Sequence, residues 1–493
     1  MSFIQLENIN FSYNETRLPL FSDLSLNFHN GWSSLCGPNG SGKTTLIKLI
    51  TGELKQETGI LRIKGDFISV PQSTENAPSQ LEDFIWNYSK EAIYLREKLE
   101  LKEDWNNRWE SLSIGERKRL QIAVALSSSC EILLVDEPTN HVDFESKKII
   151  LSALQSFSGI GILVSHDRLL LNELCEKTIF LEGGKAFSYS TSYSEAKKEH
   201  TANKDQKFKL KDKLQEEQKR LGKAVQSQQE KIDQGSKNLS KKGISAKDHD
   251  AKEKVNKAKL FGAGLSDSRK KHILQKREEK VKEQKESIHL EKTYELGIFF
   301  GNSPRVKNVF LEEEIYSLPY LKIIQPRIAL KKGDKLAITG RNGAGKSTLL
   351  KLWLEKLPQP YSYAPQEFSE KEMEELTKEI LLLDKEKRGK IFTLVSCLGS
   401  SPKSLADKSP PSPGVWQKLM IARAIVEEVP LLILDEPTNH MDLPSLEILE
   451  EALIRYEGII ICISHDKDFM EKVCTLSLHL EKKEEITVAT LMN

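Results

Sequence analysis

The stretch Gly37-Pro38-Asn39-Gly40-Ser41-Gly42-Lys43-Thr44-Thr45 combines glycines, one lysine and hydroxyls at close spacing. Glycines let the backbone fold into a nest of N–H groups around phosphate oxygens, and the start of a following helix adds its positive end. In that setting Lys43 neutralises β- and γ-oxygens, and the Thr44 hydroxyl can ligate Mg²⁺. The apolar run Glu131-Ile132-Leu133-Leu134-Val135 ends in Asp136-Glu137. Two acids closing an apolar strand are costly to bury without a cation. Asp136 is suited to hold Mg²⁺ through water, and Glu137 to polarise an attacking water. A further run, Gly161-Ile162-Leu163-Val164-Ser165, ends in His166-Asp167, at the end of a parallel strand where ligands bind in such sheets.

These side chains need particular elements to hold them. A short strand, Ser33–Cys36, precedes the glycine-rich loop and an apolar helix, Thr45–Ile50, follows it, as the P-loop pattern requires. Continuous apolar runs read as buried parallel strands. Alternation from Phe3 to Tyr13 reads as antiparallel strand. Ser113, with Glu116 three residues on, forms a capping box that opens a helix.

The whole set recurs in the second half. Gly340-Arg341-Asn342-Gly343-Ala344-Gly345-Lys346-Ser347-Thr348 is the second loop; Gln366 follows it as Gln72 follows the first. Ser412-Pro413-Gly414 matches Ser113-Ile114-Gly115, Asp435-Glu436 matches Asp136-Glu137, and Ser464-His465-Asp466 matches Ser165-His166-Asp167. Lys346 lies 303 residues after Lys43, while Asp435, His465 and Ser412 each lie 299 after their counterparts. An offset shared by three motifs and within four residues for the fourth is an internal repeat. Ser347 and Asp435 inherit the Mg²⁺ role, Glu436 the water and His465 the strand-end position. The copies differ in places. Val415 replaces Glu116, so the capping carboxylate is lost, and the two sites are expected to turn over unequally. Lys346 and Gln366 are 20 residues apart, against 29 for Lys43 and Gln72, so the small β-subdomain of the second copy must be trimmed.

Between the copies, residues 196–290 carry 27 Lys+Arg and 15 Asp+Glu, a net of +12, although the whole chain is at +1. Leu210, Leu214, Leu221, Val225 and Ile232 form an a/d seam with a gap at Gln218, and Leu274, Val281 and Ile288 recur every seven. With glycines between the seams, this predicts an antiparallel helical hairpin. Its arms of roughly 25–40 residues would reach about 40–60 Å. The tip, about 236–271, is lysine-rich with one aromatic, Phe261. It suits phosphate backbone or folded RNA better than base stacking.

At 493 residues the chain holds two or three domains. No apolar run is long enough for a membrane helix, no secretory signal opens the chain, and the six scattered cysteines suit a reduced, cytoplasmic setting.

Taken together, the two P-loops, Gln72, Leu112-Ser113-Ile114-Gly115-Glu116, Leu133-Leu134-Val135-Asp136-Glu137-Pro138-Thr139-Asn140-His141-Val142-Asp143 and Ser165-His166-Asp167 resemble an ATP-binding cassette (ABC) ATPase. The resemblance implies that Tyr13 stacks on adenine and that Gln72 senses Mg²⁺ and water. It implies that Ser113 and Gly115 close on ATP held by the other cassette, and that His166 holds the γ-phosphate, with Asp143 as D-loop aspartate. For adenine in the second copy, Tyr316 is the candidate, as far before Gly340 as Tyr13 is before Gly37.

Two cassettes around a basic linker are similar to the ABC-F family. The implied architecture is α/β, with ABC ATPase domains at 1–192 and 297–493. Each has a mixed sheet flanked by helices with small β and helical subdomains, and a coiled-coil hairpin at 193–296 joins them. The implied function is an ATP hydrolase binding two ATP with Mg²⁺ between its cassettes. It would act at the ribosome on rRNA and P-site tRNA near the peptidyl-transferase centre, in translation or in antibiotic resistance by ribosome protection. It is expected as a monomer, with no membrane and no obligate protein subunit. The rivals are an ATPase subunit of an ABC transporter, a DNA-associated ABC ATPase and a non-catalytic scaffold.

Overall fold

The computed structural model describes residues 2–13, 19–140, 142–238, 265–287, 307–366, 369–400, 413–439 and 441–492. They fall into two compact units, Met1–Ala196 with Thr293–Asn493, and Lys197–Lys292.

In the first half of the larger unit, six strands pair in the order Phe67–Val70, Ile132–Asp136, Ile160–Val164, Gly31–Cys36, Lys177–Glu182, Lys185–Tyr189. All neighbours are parallel except the last pair. The apolar runs exist because both faces are covered. Leu133, Val135 and Leu163 pack on the helical side, whereas Ile132, Leu134, Ile160, Ile162 and Val164 pack against an antiparallel sheet of Phe21–Phe28, Phe3–Phe11 and Thr58–Lys64. Gly161 is needed beside Trp32: a Cβ there would stand 2.3 Å from the indole ring.

The second half repeats the plan with eight strands, in the order Glu314–Leu318, Leu321–Gln325, Ile486–Met492, Leu476–Lys483, Lys335–Gly340, Ile459–Ile463, Leu431–Asp435, Tyr361–Ala364. The same alternation holds, with Leu432, Leu434, Ile460 and Cys462 on one face and Leu431, Ile433, Ile459, Ile461 and Ile463 on the other. No strand corresponding to Thr58–Lys64 lies between the helix Lys346–Leu354 and the strand Tyr361–Ala364, which is where the shortened spacing had pointed.

The smaller unit contains most of the helix Tyr193–Asn238, a 46-residue element about 69 Å long at 1.5 Å per residue, and the helix Leu265–Ser287. Lys285 Nζ donates to Gln218 Oε1 at 3.2 Å and Lys271 Nζ to Gln229 Oε1 at 2.5 Å. As one partner's number rises the other falls, so the helices run antiparallel. Among the less exposed positions of the first helix are Lys211, Leu214, Gln218, Leu221, Val225, Gln228 and Ile232, spaced in a heptad rhythm. Leu210 is therefore a correction: it is 49% exposed, and the neighbouring Lys211 takes the seam position. Gln218 fills the apparent gap as a polar seam residue. Leu214 and Val281 are the buried apolar members. Residues 239–264 of the tip, Phe261 included, and Ile288 lie outside the described residues. No helix among the described residues is long and apolar enough to cross a membrane.

Candidate active site

In the first loop Gly40 and Gly42 take positive φ, 81° and 97°. Gly42 caps the helix Lys43–Ile50, and a Cβ there would meet the Phe21 ring at 2.6 Å. The nest thus depends on glycine at that point. Lys43 is buried, and its Nζ donates to the carbonyls of Gly37 and Pro38 at 2.8 and 3.1 Å. Lys346 repeats this on Gly340 and Arg341 at 2.9 and 3.1 Å, beside Gly343 and Gly345 at φ 76° and 94°. Thr44 Oγ1 donates to Asp136 Oδ2 at 3.2 Å, and Ser347 hydrogen-bonds Asp435.

The two acidic strand ends are close replicas. Glu137 and Glu436 sit at φ 45° and 52°, a left-handed conformation unfavourable for glutamate. Their N–H groups donate to Val164 and Ile463 carbonyls, both at 2.8 Å, which pins the strained turns. The Oε2 of each accepts the N–H of His166 or His465 at 3.3 Å. The imidazole Nε2 atoms lie 3.2 and 3.4 Å from Oε1 of the same glutamates, without hydrogen-bond alignment. Burial, reinforced by Asp136, pushes the Glu137 carboxyl up to about 8. Burial does the same to Glu436, against the pull of Lys346. Burial, with Lys43 or Lys346 nearby, pushes both imidazoles down, so they are neutral at physiological pH.

The two halves contact each other directly. The backbone N–H of Asn39 donates to Asp442 Oδ2, and that of Asn342 donates to Asp143. Both aspartates also cap their own helices through Oδ1, from Ser445 and Ser146 N–H at 2.9 Å. Arg341 pairs with Glu145 across the same junction. Beside the first switch loop, Arg168 Nη1 pairs with Glu450, both buried, and Lys472 joins Glu450 at 3.0 Å.

A cavity of about 1650 Å³ draws its walls from both halves. The first half contributes Tyr13, Asn39, Gly40, Gly42, Lys43, Thr44, Thr45, Gln72, Ser113, Gly115, Asp136, Glu137, Asp143 and His166. The second contributes Asn342, Gly343, Gly345, Lys346, Ser347, Thr348, Gln366, Gly414, Glu436 and His465. Gly37, Pro38, Ser41, Gly340, Arg341, Ala344 and Asp435 belong to the same loops and strand end but are not among the residues that line the cavity. Ser412 lies outside the described residues. Tyr13 stands edge-on to Phe11, its OH 3.0 Å from Thr45 Oγ1. Tyr316 is a correction: its ring is 9% exposed within the core, with its OH 3.4 Å from Lys356 Nζ, away from the cavity. The helix Ile114–Ser127 opens with the full Ser113–Glu116 capping box.

The residues fit a nucleotide with a divalent cation. Buried Ser41 Oγ, Glu137 Oε1, Asp435 Oδ1 and Glu436 Oε1 have no hydrogen-bond partner, and each needs a group from outside the chain. Among the described residues no cluster of three or more His, Cys, Asp or Glu forms a cage, so Mg²⁺ here would keep waters and phosphate oxygens as its main ligands.

Burial and folding expose residues that motif reading missed. Lys118 is 1% exposed, donates to the Pro71 carbonyl and to Gln121 Oε1, and feels Asp136 and Glu137. The corresponding Gln417 is neutral and donates to the Glu436 carbonyl at 3.1 Å. Lys147, Arg168 and Glu450 were also unmarked. Their chain separation hides their proximity, and only an unexplained charge within an apolar helical face could have signalled them.

Residues 21–140 and 325–439 match the family model described as ABC transporter. The ribosome protection protein VmlR of Bacillus subtilis (strain 168) is 29% identical, covering 95% of this chain and 85% of that protein. The ATP-binding protein Uup of Buchnera aphidicola subsp. Schizaphis graminum (strain Sg) is 30% identical, covering 89% of this chain and 74% of that protein. Among solved structures, RNase-L Inhibitor shares the fold with a TM-score of 0.62 at 15% identity, covering 98% of this chain and 90% of that one. Duplicated nucleotide loops, acidic strand ends and switch histidines therefore have relatives over most of the chain, and the chain belongs to the ABC-F family of ATP-binding cassette proteins, with the ATP hydrolase activity of that class.

Proposed function

We propose that the chain binds two Mg-ATP between its cassettes and uses their closure to drive the basic hairpin against ribosomal RNA and tRNA. One observation carries the two-site reading: each nucleotide loop is held by an aspartate of the opposite cassette, Asn39 by Asp442 and Asn342 by Asp143. The domains at work are 1–192, 193–296 and 297–493.

In this reading Lys43 and Lys346 exchange their loop carbonyls for phosphate oxygens, and the loop N–H groups complete the cradle. Thr44 with Asp136, and Ser347 with Asp435, would hold Mg²⁺, which when bound offsets negative charge on the phosphates. Glu137 and Glu436 hold the attacking water and accept its proton. Neutral His166 and His465 donate toward the γ-phosphate. Ser113 with Gly115, and Ser412 with Gly414, cover the nucleotide held by the other cassette. Gln72 and Gln366 report its state to the helical subdomains, and Tyr13 takes the adenine of the first site.

The ribosome is proposed from the net +12 of residues 196–290, which suits a phosphate backbone, and from similarity to a relative named as a ribosome protection protein. A cytoplasmic monomer acting in translation or antibiotic resistance follows. The test is ATP turnover with and without 70S ribosomes. Several-fold stimulation is expected, abolished by charge reversal of Lys241, Lys242, Lys247 and Lys252 while basal turnover persists. No stimulation by ribosomes, or equal stimulation by naked DNA or lipid vesicles, overturns the reading.

A further inference from the structure

Gln72 lines the cavity from a segment, 71–76, that is neither helix nor strand. Carbonyls on both sides of it are taken by side chains of another element. From the helix Ile114–Ser127, Lys118 Nζ donates to the Pro71 carbonyl, Gln121 Nε2 to that of Ser73 at 3.1 Å and Arg117 Nη1 to that of Thr74 at 3.2 Å. Lys118 also donates to Gln121 Oε1 at 3.2 Å, which turns the amide N–H toward the loop. Just before the helix, Trp109 Nε1 donates to the Glu75 carbonyl at 3.2 Å. Arg117 holds that turn as well, through the carbonyls of Trp109 and Glu110 at 3.0 and 2.7 Å. Lys118 and Gln121 are 1% and 5% exposed, so water competes little for these bonds, and those from the cations are the stronger kind.

The helix tied in this way is the one that Ser113 caps, with Gly115 in its first turn. Gln72, Ser113 and Gly115 face the same cavity, yet in the reading above they serve different nucleotides. Gln72 attends the one at Lys43, and Ser113 with Gly115 cover the one at Lys346. The second cassette is built differently. The counterparts of Arg117, Lys118 and Gln121, each 299 residues on, are Trp416, Gln417 and Met420. Met420 has no hydrogen-bond donor, and Gln417 Nε2 donates to the Glu436 carbonyl at 3.1 Å.

We propose that Arg117, Lys118 and Gln121 are positioning residues that join the Gln72 loop and the first signature helix into one rigid piece. The nucleotide sensed by Gln72 then sets how Ser113 and Gly115 close on the other nucleotide. Turnover at the Glu436 site depends on Gln72, whereas turnover at the Glu137 site does not depend on Gln366 in the same measure. The inference rests on the proposed function, through the roles of the two glutamates and the cover that Ser113 and Gly115 give to the opposite site.

Single-turnover cleavage of bound ATP by single-site chains tests it. In a Glu137→Gln chain, cleavage belongs to Glu436. There Gln72→Ala, a change at an exposed position, is expected to slow cleavage about tenfold, although Gln72 sits at the other site. Gln121→Met gives the first helix the residue of the second, and is expected to slow the same step several-fold. Combined with Gln72→Ala it should add less than about twofold, because both act through one connection. In a Glu436→Gln chain, Gln366→Ala is expected to change cleavage by less than about twofold. No loss from Gln72→Ala at the Glu436 site, fully multiplicative losses with Gln121→Met, or an equal cross-site effect of Gln366→Ala overturns the inference alone. Hydrogen bonds that merely support the fold predict multiplicative losses. If the Glu137→Gln, Glu436→Gln chain still cleaves ATP, the glutamate assignment fails and takes this inference with it.

Discussion

Asn39 of the first nucleotide loop donates its backbone N–H to the Asp442 carboxylate of the opposite cassette, and Asn342 repeats the contact on Asp143 with the cassettes exchanged. The loop that would wrap one ATP's phosphates thus senses the other cassette without a side chain of its own. Burial raises the cost of each carboxylate, but its hydrogen bonds win, and both acids are held below the ordinary range. A hydrogen bond to a charged group contributes about 1.5–3 kcal/mol. Asp442→Ala and Asp143→Ala are each expected to lower ATP turnover about ten- to hundredfold by that measure. Steady-state hydrolysis checks this, and near-normal kcat in either variant would contradict it.

The Arg168–Glu450 pair lies across the same junction with both partners buried, 8% and 6% exposed at their side chains. Removing one partner of such a pair leaves the other's buried charge without its nearest counter-charge, at a cost of up to about 3–5 kcal/mol, softened by Lys472 at 3.0 Å from Glu450 and Glu447 at 3.8 Å from Arg168, whereas replacing both with apolar groups is close to neutral. Arg168→Met or Glu450→Met alone should lower the unfolding midpoint clearly, and the double substitution should recover most of it. Additive losses in urea or thermal unfolding argue against the account.

Lys118 supplies a pH signature. Burial pushes its ammonium down to about 8 from 10.5. Between those values the unfolded chain binds more protons than the folded one, so this group makes stability rise as pH increases through the window. The effect is opposite in sign to that of a lysine stabilised by an ion pair. Lys118→Met is expected to remove this slope, measured as the change in unfolding free energy from pH 8 to 10.5. A slope unchanged by the substitution would mean that Lys118 titrates alike in the folded and unfolded chain, so that burial does not depress it.

The hairpin seam is polar at Gln218 and Lys285, which bond each other, where a coiled coil gains most from apolar residues. Gln218→Leu with Lys285→Leu should strengthen the arms by about 1–3 kcal/mol. The readout is amide exchange across residues 211–232, expected to slow about tenfold or more. Exchange that quickens or stays the same excludes this seam register.

Much of this organisation is legible from sequence because its signals are local. Leu133 and Leu134 reveal a parallel strand, since both faces need apolar residues, and the loop glycines reveal a nest because their φ angles favour glycine. The rest depends on long-range geometry. Leu210 looks like a seam residue by polarity, yet helix phase gives the place to Lys211. Tyr316 has a suitable distance from its loop but points into the core. Strain at Glu137 and Glu436, and the meeting of Arg168 with Glu450, depend on where segments far apart in the chain come to rest.

The central claim is that ATP closes the cassettes and closure directs the hairpin to the ribosome. It is tested most directly by sedimenting the Glu137→Gln, Glu436→Gln chain with 70S ribosomes at moderate salt. The account predicts pelleting with the ribosome when ATP is present and release when it is withheld. Protein that remains in the supernatant with ATP, or pellets equally without it, contradicts the account.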